Sequence, residues 1–120
     1  MSWDVEFTNE FGDWWTGLAE SEQDDIVAVV ELLAEHGSEL QFPYSSGVAG
    51  SRHGHMSELR VQSAGKPIRT FYAFDPRRTA ILLIGGDKTG DDRFCKRFVP
   101  QADRLYDEHL RELKDEGEIP

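Results

Sequence analysis

Arg60 and Arg69 both lie in "ELRVQSAGKPIRTFYAFD", residues 58–75, two short strand-like runs separated by "SAGK". If Ala64 and Gly65 are the central residues of a two-residue hairpin turn, paired positions sum to 129 and the two arginines stand directly opposite one another. Like charges so placed destabilise a sheet by about 0.2–1 kcal/mol, and an anion held between them would reverse the sign. Strand alternation puts Phe71 on the Arg69 side, with Ile68, Thr70, Tyr72 and Phe74 on the other and Leu59 and Val61 facing away from Arg60. Two guanidinium groups on a phosphate and a ring against a base would read a nucleotide. The alternative is structural, with both arginines paired to acids such as Glu58 or those of the C-terminal tail.

Other cations lie close by. Lys88 sits in "GGDKTGDD", a glycine-flanked segment after the third strand-like run, and Arg93, Lys96 and Arg97 open the helix that follows. Backbone N–H groups and cations at such a place suit an anion. The spacing nevertheless fails the G-x-x-x-x-G-K-[ST] phosphate loop, and an ordinary turn is the competing reading. "RHGH" supplies Arg52, His53 and His55, where a histidine can contact substrate or move a proton near neutral pH. With His36 and His109 distant in sequence and Cys95 alone, these residues make a poor metal signature, and no metal or other cofactor is expected.

The elements that must position these groups follow from periodicity. "SWDVEFT" alternates with Trp3, Val5 and Phe7 on one side and predicts a strand over residues 2–7. Phe11, Trp14, Trp15 and Leu18 recur at helical spacing, and the two tryptophans read as packing residues. Ser21 is the expected N-cap of a second helix, whose apolar face is Ile26, Val29, Val30 and Leu33 and whose stop is Gly37. Residues 38–56 read as a long loop with a short extended piece at most, and loops of this length in a compact domain are often functional. Strands are expected from Ser57 to Gln62, Pro67 to Asp75 and Thr79 to Gly85, joined by turn-like "SAGK" and "DPRR" as an antiparallel meander. Asp91 or Asp92 is the expected cap of a last helix carrying Phe94, Phe98, Ala102, Leu105, His109 and Leu113, with Pro100 kinking it or starting a second segment. The result is an α+β fold: one mostly antiparallel sheet, an N-terminal helical hairpin packed on one face, and a C-terminal helix. One domain over residues 1–120 is expected, with residues 115–120 as a frayed tail.

Charge is segregated along this plan. The net charge of −10 divides into −11 for residues 1–51, which hold no Lys or Arg, +5 for residues 52–97 and −4 for residues 98–120. One basic surface on an acidic body is therefore expected, coinciding with the strand-rich block. No apolar run reaches membrane-spanning length, no signal-peptide pattern opens the chain, and one cysteine cannot form an internal disulfide, so the expected setting is the cytoplasm.

"HMSELRVQSAGKPIRTFYAFDPRRTAILLIGGDKTGDDRF", followed by a helix containing "ADRLYDEHL", resembles the HigB-like, phage-derived Gp49-like branch of the RelE/ParE toxin superfamily over about residues 51–112. Residues 1–50 fit it by layout. The resemblance implies a RelE-like fold and the toxin of a type II toxin–antitoxin system: a ribosome-dependent messenger RNA endoribonuclease that inhibits translation. In it the ribose 2′-OH attacks the adjacent phosphate without a metal. Carried onto this chain, Arg60 and Arg69 would clamp the scissile phosphate, Lys88 would stabilise charge or move a proton, Arg93 would support the pocket and Phe71 would contact a base. His53, His55 and Tyr72 compete for proton transfer, with Arg52 and Arg97 as further substrate contacts. The implied partners are a helix-turn-helix, HigA-like antitoxin, the ribosome and its message, and promoter DNA through the antitoxin complex. Two other readings remain open: a ParE-like inhibitor of DNA gyrase that does no chemistry, and an inactive phage-derived interaction protein.

Overall fold

The computed structural model describes residues 2–120. In chain order it has β1 (Val5–Phe7), α1 (Asn9–Thr16), α2 (Glu20–His36), β2 (Ser45–Gly47), β3 (Ser57–Ser63), β4 (Lys66–Phe74), β5 (Ala80–Asp87) and α3 (Phe94–Asp115). The five strands form one sheet in the order β1-β5-β4-β3-β2. β2 to β5 pair antiparallel, and β1 joins the far side of β5 in parallel. Two layers of helix enclose it. α1 and α2 pack Phe11, Ile26 and Leu33 onto Leu59, Val61, Ile68, Tyr72 and Leu82, while α3 packs Phe94, Val99, Ala102 and Leu105 onto Phe71, Ala73, Ile81 and Leu83.

β1 is shorter than its alternation suggests. The Trp3 N–H donates to the Ala34 carbonyl of α2 at 2.6 Å, and the Trp3 ring lies over Gly37, where an added Cβ would fall 2.0 Å from it. That contact, together with φ of +59°, requires glycine at the helix stop. Phe7, expected on the buried side, is 65% exposed because β1 is an edge strand; its ring leans on Phe11 and Gly12.

Thr8 caps α1, its Oγ1 accepting the Phe11 N–H at 3.0 Å. Ser21 does not cap α2. The helix starts two residues earlier than that cap implies, at Glu20, because Glu22 reaches back to accept the Ala19 N–H at 3.1 Å and also takes the Lys66 ammonium at 2.8 Å. α3, by contrast, starts later than the expected caps imply: Asp91 Oδ1 accepts the Arg93 N–H at 3.0 Å, and the first helical residue is Phe94. The helix runs unbroken through Pro100, whose missing N–H leaves a single carbonyl without its partner. Its end is closed by Gly117 at φ +75°, with Gly117 N–H donating to Lys114 and Glu118 N–H to Leu113, so hydrogen bonding extends past the expected start of fraying.

The β3–β4 turn is the expected one. Ala64 and Gly65 have φ of +50° and +80°, the signature of a primed two-residue turn, and Ser63 pairs with Lys66. A bulge between Phe71 and Tyr72 shifts the β4–β5 register, so that Leu83 and Ile84 both pack on the α3 side. Between β1 and the C-terminal half of α3 lies a cavity of about 260 Å³ whose walls carry Glu6, Glu10, Glu108, Glu112, Glu116 and Glu118. Among the described residues no helix is long and apolar enough to cross a membrane.

Candidate active site

The turn geometry fixes the register, and Arg60 pairs with Arg69. Both side chains lie on the α3 face of the sheet, toward the end where α3 begins. The like charges are not left alone. Glu58, two residues before Arg60 and therefore on the same face, is buried with Oε1 3.3 Å from Arg60 Nη1 and 3.8 Å from Arg69 Nε. The Ser46 hydroxyl of β2 donates to the same oxygen at 3.2 Å.

Compensation is incomplete. Two cations face one carboxylate, and Glu58 Oε2 and Arg69 Nε have no hydrogen-bond partner although both are buried. Arg69 is almost wholly enclosed, with Nη1 donating to the Ile68 carbonyl at 3.1 Å. Burial, and then the charge of Arg60, pull its pKa below the ordinary arginine value. Arg60 is the accessible member of the pair, and its guanidinium lies 5.0 Å from the ring centroid of Phe42. The pair with its carboxylate thus has an unspent positive charge and two buried polar atoms without partners, and Arg60 is its exposed edge.

Lys88 lies one residue beyond β5, its N–H donating to the Pro67 carbonyl at 2.8 Å. Because Arg69 pairs with Gly86 and Ile68 with Asp87, Lys88 is at the same end of the sheet as Arg69, and continued alternation from Gly86 gives it the same face. The glycines before it do not form an anion-binding loop. Gly85 and Gly86 are inside β5, where an added Cβ would meet the Trp14 ring at 2.3 Å on one face and Phe94 and Phe98 at 2.9 Å on the other. Of the cations opening α3, Arg93 is exposed and Arg97 pairs with Asp91 while lying 5.3 Å over the Phe98 ring.

The other candidates go elsewhere. Phe71 is on the Arg69 face as alternation requires, but it is fully buried and stacked against Phe94 and Phe98, so it has no free face for a base. Tyr72 points to the opposite face, where its hydroxyl and that of Ser45 share a hydrogen bond of 2.6 Å. "RHGH" is fastened to the middle of α3: Arg52 pairs with Asp107 and donates its backbone N–H to Asp103, His53 Nε2 meets Asp107 at 2.8 Å, and His55 Nε2 meets the Tyr106 hydroxyl at 3.1 Å. Tyr106 donates in turn to the Phe74 carbonyl. Phe74 is five residues along β4 from Arg69, roughly 16 Å at strand rise, so Arg52, His53 and His55 form a cluster separate from the arginine pair.

Sequence reasoning missed Phe42, whose only signal was a pair of aromatics around a proline in "QFPY" within a polar loop, and it gave Glu58 a structural role alone.

This architecture and sequence have relatives. The family model described as phage derived protein Gp49-like matches residues 13–107. The chain is 38% identical over 104 residues to the putative toxin HigB2 of Mycobacterium tuberculosis, covering 85% of this chain and 52% of that protein, so it spans about half of that relative's length. It is also 38% identical over 98 residues to the putative toxin HigB3 of the same organism, covering 81% of this chain and 84% of that protein. In three dimensions it is similar to a chain of the archaeal RelE–RelB complex from Pyrococcus horikoshii, with a TM-score of 0.55 and 11% identity, covering 75% of this chain and 99% of that one. A mutant of E. coli toxin RelE in the free state gives 0.56 and 9%, covering 78% and 92%. The chain has the RelE fold and belongs to the phage-derived Gp49-like, HigB-like family.

Proposed function

We propose that this protein is the toxin of a type II toxin–antitoxin pair and acts as a metal-independent endoribonuclease on messenger RNA engaged with the ribosome. The observation that carries the reading is the opposition of Arg60 and Arg69 across the β3–β4 hairpin, with Lys88 at the same end of the sheet. A phosphate meets two guanidinium groups there, one of them anchored by burial. The names of HigB2 and HigB3 as putative toxins support the same class.

In this mechanism the phosphate takes over part of the interaction that Glu58 now makes with Arg60. As Arg60 turns to the phosphate it uncovers Glu58, whose buried Oε2 lacks a hydrogen-bond partner, to accept the proton of the ribose 2′-OH as that oxygen attacks phosphorus. Arg60 and Arg69 stabilise the charge that grows on the non-bridging oxygens. Lys88 gives a proton to the departing 5′-oxygen, leaving a 2′,3′-cyclic phosphate and a 5′-hydroxyl. Arg93 and Arg97 stand beside the path of the strand. The protein partner is a helix-turn-helix antitoxin of HigA type, through which the pair reaches promoter DNA, and the setting is the cytoplasm.

The test is expression of the chain without its antitoxin, followed by mapping of message 5′ ends. Cuts in phase with codons support the reading. Intact messages accompanied by gyrase-linked DNA breaks would replace it with the inhibitor reading, which Glu58's occupation of the arginine pair favours as the second choice.

A further inference from the structure

The ring that a nucleotide reader needs is absent from the place alternation indicated, since Phe71 is core. Another aromatic pair stands next to Arg60. Phe42 is 70% exposed and Tyr44 44% exposed, both in the segment leading into β2. This segment is held to the arginine pair by two contacts: the Arg60 N–H donates to the Tyr44 carbonyl at 2.8 Å, and the Arg60 guanidinium covers the Phe42 ring. The β2–β3 register places Ser45 opposite Leu59 and thus carries Tyr44 to the level of Arg60.

Behind the two rings, at the β2 edge of the sheet, a cavity of about 240 Å³ opens between the end of α2 and this segment. Leu32 and Leu40 add apolar wall, while Glu39 and Gln41 bring a hydrogen-bond acceptor and an amide to its lining. Aromatic surface, a shallow apolar floor and a few polar groups suit a planar heterocycle with a polar edge. The adjoining guanidinium selects an occupant that also carries negative charge.

We infer that this cavity receives an unpaired base of a single-stranded RNA, from the nucleotide next to the phosphate held at Arg60 and Arg69. The inference rests on the reading of that pair as a phosphate site and extends it: Phe42 and Tyr44 stack the base, Glu39 and Gln41 meet its edge, and Arg60 links base site to phosphate site. A duplex cannot present such a base, so the site prefers single strands.

The test uses the purified full chain and a short single-stranded RNA with 2-aminopurine at one position, 2′-O-methyl sugars to prevent cleavage, and a terminal dye. Anisotropy reads binding and 2-aminopurine fluorescence reads stacking. Quenching by the wild type, its loss in Phe42→Leu with roughly tenfold weaker binding, and its return in Phe42→Trp are the expected results. Arg60→Ala should weaken binding and flatten its salt dependence. If the RNA binds with dependence on Arg60 but quenching is absent or unchanged in Phe42→Leu and Tyr44→Leu, the base site is wrong and the phosphate site stands. If Phe42→Leu leaves RNA binding intact and instead weakens a complex with co-expressed antitoxin, the cavity belongs to a protein partner and the inference is overturned. Absence of RNA binding by the wild type would remove the phosphate reading and the base site with it.

Discussion

Glu58 Oε1 lies between Arg60 Nη1 and Arg69 Nε, at 3.3 and 3.8 Å, and is the counter-ion that permits two arginines to face one another across a hairpin. Removing it leaves a buried like-charge pair. Glu58→Ala should lower stability by about 3 kcal/mol, the cost of breaking a buried ion pair. Urea titration would show the loss in midpoint with the slope unchanged. Inorganic phosphate should restore part of it by occupying the vacated position, whereas Glu58→Ala without any response to phosphate would argue against an anion site there.

Arg69 and Lys88 should separate structure from chemistry. Arg69→Ala removes one of the two cations facing buried Glu58 and empties the enclosed space the side chain fills, so activity and stability should fall together. The Lys88 ammonium takes part in none of the hydrogen bonds or ion pairs among the described residues, and Lys88→Ala should leave the unfolding midpoint unchanged while slowing RNA cleavage by about 10²–10³-fold. Full toxicity of Lys88→Ala in cells would remove this residue from the mechanism.

A pH response follows from the far end of the sheet. Burial of Asp75 opposes its ionisation, but bonds from Arg77, His109 and the Thr79 and Arg77 backbone outweigh that and hold its carboxyl below the ordinary 3.8. The Asp75 carboxylate, and then that of Glu6, raise Arg77 further above its usual value. A carboxyl with a lowered folded pKa contributes stability that is present above the unfolded value and lost as pH falls through the folded one. Stability should therefore decline as acid is added below pH 3.8, with Glu22 and Asp87, also lowered, acting in the same direction. Asp75→Asn should be less stable near neutrality and flatter across that acid range, as read by urea midpoints at several pH values.

Gly85 and Gly86 give a packing prediction. Gly85→Ala would drive a Cβ to 2.3 Å from the Trp14 ring, and Gly86→Ala to 2.9 Å from Phe94 and Phe98. Each should cost about 1–3 kcal/mol by overpacking, with Gly85→Ala the worse and accompanied by a change in tryptophan emission. Gly54→Ala, which meets nothing within 4 Å, is the control.

The β3–β4 hairpin was legible because a two-residue turn leaves one register, and with it the opposition of Arg60 and Arg69 and the face of Phe71. What covers that face was not, since alternation says which residues share a side and says nothing of the helix that lands there; Phe94 and Phe98 took Phe71 into the core. Helix starts were displaced because Glu22, also held by the distant Lys66, made the capping contact in place of Ser21, and because Asp91 bonded the Arg93 N–H in a turn that precedes the helix. "RHGH" showed residue types suited to chemistry, but its partners Asp103, Tyr106 and Asp107 lie some fifty residues on, beyond any local window.

The order of charge along α3 runs against what helix stability favours. Arg93, Lys96 and Arg97 stand at its positive N-terminal end, and Glu108, Glu112, Glu116 and Glu118 gather at or just beyond its negative C-terminal end. The backbone dipole and these side chains therefore add along α3, offset in part by Arg111 and Lys114, giving the helix an electrical axis with its positive pole beside the arginine pair. In the field of a polyanion such a molecule experiences a torque that turns this pole forward before contact. An overall negative charge then sets how slowly the protein approaches RNA, while the axis sets which way it faces on arrival, and added salt should abolish the second effect along with the first.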